Sequence, residues 1–63
     1  MDINWDSVWA IYDVIRDNDG WMNKIKKDNR KFYDILPAAC RIAKVKLNEE
    51  ERLEVLIKIT RVC

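Results

Sequence analysis

Residues 21–37, which read WMNKIKKDNRKFYDILP, place cations and aromatic side chains next to one another. The cations are Lys24, Lys26, Lys27, Arg30 and Lys31. Cations on one face of a helix can neutralise the phosphates of a nucleic acid, in binding that weakens steeply as the salt concentration rises. They could equally bind an acidic partner protein, remain solvated, or pair with the chain's own acids such as Asp13, Asp17 and Glu54. This stretch is therefore a candidate face for a charged partner or for nucleic acid.

Residues that could carry out catalysis are scarce. The chain has no histidine, so neither a Cys–His nor a Ser–His pair can form. Ser7 falls in the first turn of a predicted helix, and Cys40 on an alanine-rich helix is expected to be a small buried hydrophobe. The segment DNDG at 17–20 has part of the pattern of a calcium loop but lacks the acidic residue that should close it. We therefore predict that the protein is not an enzyme and has no cofactor and no metal site.

Four helices are predicted to position these residues, over about 5–18, 20–35, 38–46 and 49–61. Asn4 is a good N-cap for the first helix. Asn48 begins the fourth, and Glu51 three residues later completes a capping-box pair. The fold class predicted is therefore all-α, a compact bundle of three or four helices.

Glycine and proline set the predicted helix boundaries. Gly20 is expected to end the first helix in a left-handed conformation, although Asp19 and Gly20 could instead close a β-hairpin. Pro37 disfavours helical geometry at Leu36 and suits the first position of a third helix. The second helix is therefore predicted to stop just before Pro37.

The aromatic and cationic residues of the second helix separate once they are placed on a helical wheel. One arc of about 100° at 100° per residue holds the apolar residues Trp21, Ile25, Phe32, Ile35 and Leu36. The five cations take the opposite side. Trp21 and Phe32 are thus predicted to lie in the core, away from any bases on which they could stack. Nucleic-acid binding by the cations would be led by phosphate contacts and weakly specific.

The apolar arcs of helices one and four are wider than a small bundle needs. The arc of helix four covers about 220° by the same rule, against a little over 100° for an ordinary surface helix. A homodimer or a stable protein partner would cover the excess, unless the two helices bury each other. The candidate hydrophobic partner or dimer face comprises Trp5, Trp9, Tyr12, Val55, Ile59 and Val62. Its first three members have the spacing of helix-in-groove anchors, which also suits an ordinary core.

The length, composition and charge distribution are those of a small, apolar and unevenly charged chain. Its 63 residues are 49% hydrophobic, and a single domain over 1–63 of this size needs very good helix packing or oligomerisation. Residues 1–20 carry five Asp against one Arg, whereas residues 21–46 carry eight Lys or Arg against two Asp. The start MDIN has no signal-peptide pattern, and no segment approaches the roughly 18 apolar residues of a membrane span. The two cysteines do not make a disulfide framework, so we expect a cytoplasmic protein without a membrane partner.

Residue usage rich in Ile, Lys, Asn and Asp in so short a chain resembles that of small proteins of phages and other AT-rich mobile elements. The resemblance implies a protein that binds and redirects a host protein. We predict a small non-enzymatic protein–protein interaction module, acting as a regulator or inhibitor and forming a homodimer. The alternative is a small DNA-binding regulator that uses the basic face of the second helix. Helices three and four are a poor helix-turn-helix, because Glu49, Glu50 and Glu51 would meet the phosphates.

Overall fold

This computed structural model describes residues 3–61. They form four α-helices joined by short connections, and they contain no strand. The helices are α1 (Trp5–Arg16), α2 (Asp19–Lys27), α3 (Lys31–Ala43) and α4 (Glu49–Arg61). The predicted all-α class is confirmed for these residues, and the β-hairpin alternative does not occur among them. The bundle measures 30 × 21 × 17 Å along its principal axes.

The helix starts that were assigned from asparagine caps are confirmed. The Asn4 side-chain oxygen accepts a hydrogen bond from the Ser7 backbone N–H at 3.3 Å, and α1 begins at Trp5. Asn48 and Glu51 form the predicted capping box, with each side chain accepting from the other's backbone N–H at 2.8 and 2.9 Å. These caps are satisfied by residues three positions away, so the sequence alone is enough to identify them.

The predicted second helix over 20–35 is wrong, because the chain turns in its middle. The backbone of Asp28 is extended, with φ −149° and ψ 108°, and this residue ends α2. Its carboxylate accepts from the Arg30 backbone N–H at 3.0 Å, and its carbonyl accepts from the Lys31 N–H at 2.9 Å. A short acidic side chain that bonds two residues ahead stabilises a turn in place of a helix. Residues 21–27 and 31–36 therefore belong to two different helices.

Gly20 does not end the first helix, and the prediction of a left-handed glycine is wrong. It lies in the first turn of α2, where the Asn18 side chain caps the helix by accepting from the Trp21 N–H at 3.3 Å. The residue with a left-handed backbone is instead Lys44, at φ 59°, and it ends α3 shortly before the predicted end at 46. α1 likewise ends at Arg16, two residues before its predicted end.

Pro37 lies inside α3 and not at the start of a third helix, so this predicted boundary is also wrong. A proline inside a helix has no N–H to donate to the carbonyl four residues earlier, which here belongs to Tyr33. Leu36 and Ala39 on either side of it are buried in the core. Burial of these neighbours holds the helix together through a residue that local preference disfavours.

We expect the substitution Pro37→Ala to raise the free energy of unfolding by about 1–2 kcal/mol. Alanine restores the helical hydrogen bond and removes the ring clash, and a more flexible unfolded chain offsets part of the gain. Urea unfolding followed by circular dichroism measures the change. Arg41→Ala, at an exposed position of the same helix whose N–H is intact, is the control and should shift stability by less than about 0.5 kcal/mol. A loss of stability in Pro37→Ala would contradict this account of α3.

The core is built around α1, which contacts each of the other three helices and packs most extensively on α4. The largest side chains with no exposed surface are Val8, Ile11, Ile15, Ile25, Phe32, Val55 and Ile59. Much of the excess apolar surface of the first and fourth helices is therefore covered by their packing on each other. Trp5 and Trp9 of α1 and Leu53 of α4 remain exposed.

Candidate partner-binding surfaces

Two tryptophans stand side by side on the outer face of α1. Trp5 and Trp9 are 46% and 48% exposed. The Lys58 ammonium of α4 lies 5.1 Å from the centre of the Trp5 ring and 4.2 Å from that of Trp9. Both distances are within the range of a cation–π contact. We call Trp5, Trp9 and Lys58 the tryptophan surface.

The contacts of the tryptophan surface continue along α1 at helical spacing. The Trp9 and Tyr12 rings meet edge to face, with centroids 5.6 Å apart. The Arg16 guanidinium lies 5.8 Å from the centre of the Tyr12 ring. The Trp9 indole is thus held between Lys58 and Tyr12, and its orientation is limited before any partner arrives. Limiting side-chain freedom in advance lowers the entropy that is lost on binding.

The predicted hydrophobic partner face is only partly at the surface. Tyr12, Val55 and Ile59 are buried in the core of the chain, and Val62 lies outside the described residues. Among the five described members of this face, the accessible ones are Trp5 and Trp9. Helical periodicity grouped all six residues together, because it identifies the apolar side of a helix and not the neighbour that covers it.

The five predicted cations are all exposed, but they do not lie on one helix. Lys24, Lys26 and Lys27 belong to the second half of α2, Arg30 to the turn, and Lys31 begins α3. Arg30 is engaged by Asp28, with Nε 3.2 Å from Oδ1. Hydrogen bonds from the Arg30 backbone and side chain hold the pKa of the Asp28 carboxyl below its ordinary value.

The four lysines of this group have no carboxylate oxygen within 4.0 Å among residues 3–61. Asp13 and Asp17, which were considered as partners for them, lie 3.4 and 3.8 Å from Arg16 instead. Lys24 and Lys31 line one shallow cleft together with Asp34, so the turn brings these two lysines to the same region. The lysines are therefore accessible to an external anion.

A further surface, which the sequence did not indicate, lies between α3, the connection that follows it and the start of α4. Its main cleft has a volume of about 490 Å³. We call it the α3–α4 cleft, and its lining is Tyr33, Leu36, Pro37, Cys40, Lys46, Leu47 and Arg52. These residues come from three separate segments, and Pro37 was expected at a helix start. Only the folded chain brings α3, the connection after it and the start of α4 together around one cleft.

Cys40 lies half-buried in the wall of the α3–α4 cleft and makes no disulfide there. Burial raises the pKa of its thiol, and the nearby charge of Arg52 offsets part of that rise. A thiol with a raised pKa is protonated at neutral pH and is a poor nucleophile. Cys40 therefore contributes apolar surface to the cleft, as expected for a small hydrophobe, although it is only partly covered.

No family model matches this chain, and neither the curated proteins nor the solved structures include one that is significantly similar. Across residues 3–61, none of the helices has the length and apolar character that crossing a bilayer requires. The same residues contain no cluster of three or more Cys, Asp or Glu side chains that could hold a metal ion. The surfaces of the bundle are therefore the guide to its function.

Proposed function

We propose that this chain is a small non-enzymatic protein–protein interaction module that regulates or inhibits a partner protein through the tryptophan surface. The observation that carries the proposal is the pair of half-exposed indoles held in place by Lys58. Tryptophan is among the residues that dominate binding energy at protein interfaces. The phage-like residue usage favours a cytoplasmic host protein as the partner.

Stabilisation of the fold alone is a weaker explanation for this arrangement. A cation–π contact at an exposed site contributes about 0.5–1 kcal/mol. Two indoles that served only to pack α1 against α4 would gain more from full burial, at about 25 cal/mol for each Å² of apolar surface removed from water. Leaving both about half exposed forgoes that gain unless a partner covers them.

We expect the double substitution Trp5→Ala and Trp9→Ala to abolish capture of the partner while the chain remains folded. Loss of interface tryptophans costs about 2 kcal/mol or more each, or about 4 kcal/mol for the two together, so affinity should fall by about 800-fold or more. The measurement is quantitative cross-linking and pull-down from the native host, with circular dichroism to confirm folding. Ile42→Ala removes another large exposed side chain, 61% exposed on α3, and should leave capture unchanged. Equal capture by the double variant and the native chain would sink the proposal.

A second copy of the chain is one form that the partner can take, as in the predicted homodimer. Two copies that stacked their tryptophan surfaces about a two-fold axis would cover all four indoles. Light scattering at high protein concentration should then return twice the chain mass of 7.6 kDa. A mass of 7.6 kDa under those conditions would refute the homodimer and leave a different protein as the partner.

DNA binding by the basic face is the second candidate function, and the unpaired lysines favour it. Its test is an electrophoretic mobility shift at two salt concentrations with the double substitution Lys26→Glu and Lys27→Glu. Binding that weakens with salt and is lost in this variant would support DNA binding over the first proposal. The control is Arg41→Glu with Lys46→Glu, which changes the same charge on a different surface. Equal affinity of the native chain and the Lys26→Glu, Lys27→Glu variant would rule out this face as the DNA-binding site.

A further inference from the structure

We infer that the α3–α4 cleft is a second docking site, which binds a protein segment carrying apolar side chains next to Asp or Glu. The cleft shares no residue with the tryptophan surface. The inference therefore does not depend on the function proposed for that surface, and either one can fail alone.

The shape and lining of the α3–α4 cleft suit apolar side chains. Its volume of about 490 Å³ is within the usual range of ligand pockets, about 300–1,000 Å³. Leu36, Pro37, Cys40 and Leu47 give it an apolar lining, and Tyr33, 54% exposed, stands at its edge. The ring of Pro37 adds apolar surface to the wall. An apolar side chain of a docked segment would therefore meet apolar neighbours in this cleft.

The charges around the α3–α4 cleft select the chemistry of the segment. Lys46 and Arg52 line the cleft itself, and Arg41 and Lys44 join Lys46 around a smaller adjoining cleft of about 300 Å³. Among residues 3–61, no acidic side chain lines either cleft. Arg52 is oriented by a hydrogen bond from its Nε to the Leu47 carbonyl at 3.3 Å. Carboxylates of a docked segment would meet complementary charge here, which fixes orientation and speeds encounter.

The opposite end of the surface has the reverse charge. Beyond Tyr33 and Arg52, a cleft of about 470 Å³ is lined by Leu53 with Glu49 and Glu50. A polarised protein segment can place its acidic end at Lys46 and an apolar or basic end at Leu53. A nucleic acid that crossed the whole surface would bring its phosphates to these two glutamates. Of the described residues that line these clefts, Tyr33 alone is aromatic and could stack on a base. The charge pattern therefore favours a protein segment.

Short fluorescein-labelled peptides with a Leu-Trp-Leu centre test the site. One peptide carries Asp and Glu at one end, and its counterpart carries Lys at the same positions. We expect the acidic peptide to bind at least about tenfold more tightly, with an affinity that falls as salt rises, because its charge is complementary to the cleft. In a Cys63→Ser background, the bound peptide should also slow alkylation of Cys40, which places the peptide in the cleft.

Matched charge reversals locate the binding. Arg41→Glu with Lys46→Glu should remove the preference for the acidic peptide. If this charge-reversed variant does not fold, Arg41→Gln with Lys46→Gln takes its place and should reduce the preference. Lys26→Glu with Lys27→Glu, at the end of α2, is the control and should leave the preference intact. Trp5→Ala with Trp9→Ala should also leave it intact, which separates this site from the tryptophan surface.

Four results would overturn the inference. The first is equal affinity for the two peptides, or no binding of either. The second is an equal effect of the two charge reversals, which would indicate general electrostatic attraction. The third is stronger protection of Cys40 by an oligothymidylate than by the acidic peptide, which would make the cleft a nucleic-acid site. The fourth is self-association of the native chain that is lost in the Arg41→Glu, Lys46→Glu variant. That result would mean that a second copy of the chain occupies the cleft.

Discussion

Replacing Phe32 with alanine is expected to unfold the chain at room temperature. Phe32 has no exposed surface and is the largest of the fully buried side chains. Removing a buried phenylalanine costs about 3–5 kcal/mol, through lost burial and the cavity that remains. A single core in a chain of this size rarely supplies more than about 3–5 kcal/mol in total. The loss therefore equals most or all of the stability of the fold.

The adjacent aromatic residue provides the control. Tyr33 is 54% exposed, and its ring lies edge to face with Phe32 at 5.3 Å between centroids. Tyr33→Ala should cost about 1 kcal/mol or less, since much of that ring is already in water. Circular dichroism and urea unfolding of both variants measure the difference. A Phe32→Ala variant that unfolds cooperatively at nearly the same urea concentration as the native chain would show that burial of Phe32 does not supply most of the stability.

The aromatic residues of the opening stretch thus have three different environments. Phe32 is in the core, Trp21 is half-buried against the core, and Tyr33 lies at the edge of the α3–α4 cleft. The prediction that Trp21 and Phe32 face inward is confirmed for Phe32 and in part for Trp21. Their positions on the helical wheel assume one continuous helix. Trp21 and Phe32 nevertheless both face the core, because the turn at Asp28 redirects the chain without exposing its apolar side.

Local sequence preferences identified the starts of α1 and α4 and failed at the helix boundaries between 16 and 46. An asparagine cap is satisfied by a backbone N–H two or three residues away, so Asn4 and Asn48 could be read directly. At Asp28 the sequence allows a helix or a turn, and at Pro37 it favours a break. Burial of Leu36 and Ala39 decided the second case against the local preference. Such a decision depends on residues distant in sequence, which a single pattern does not contain.

Prediction of the candidate sites from the sequence was limited in the same way, because it depends on how distant residues pack. The sequence located the apolar sides of α1 and α4, but it could not separate Tyr12, which the bundle covers, from Trp5 and Trp9, which it leaves exposed. That difference depends on how α1 and α4 pack against each other. The contact of Lys58 with both indoles has the same origin, because α4 must bring the ammonium over rings on α1. The sequence shows the five cations of residues 24–31, and they were predicted to share one face of one helix. The turn at Asp28 instead divides them between α2, the turn itself and α3.

Glu51 joins the starts of two helices that are distant in sequence. One carboxylate oxygen accepts from the Asn48 N–H at 2.9 Å, and the other accepts from the Asn4 N–H at 2.6 Å. The residue is only 6% exposed. The capping box at α4 was predicted, whereas the bond to Asn4 could not be, since it spans 47 positions. A single ionised side chain therefore fixes the start of α4 against the N-cap of α1.

The two hydrogen bonds make the stability of the bundle depend on pH. Donation from the Asn48 backbone, and then from that of Asn4, lowers the pKa of Glu51 below its ordinary value of 4.5, and burial opposes part of this. The ionised form of Glu51 is therefore more favourable in the folded chain than in the unfolded chain. This contribution to stability is fully present above pH 4.5 and is lost as the pH falls through the lowered pKa. Thermal unfolding should show a loss of stability in that acidic window.

Glu51→Gln is expected to lower the midpoint of thermal unfolding by several degrees at pH 7, and the gap to the native chain should narrow below pH 4.5. Glutamine keeps the size of the side chain but offers one neutral carbonyl oxygen in place of two charged acceptors, so one of the two backbone N–H groups loses its partner. Glu50→Gln, in the same first turn of α4 and exposed, changes the same charge near the same helix dipole without these bonds. It should keep the acid dependence of the native chain. If the two variants responded identically to pH, the helix dipole alone would account for the role of Glu51, and the link between α1 and α4 would carry no stability.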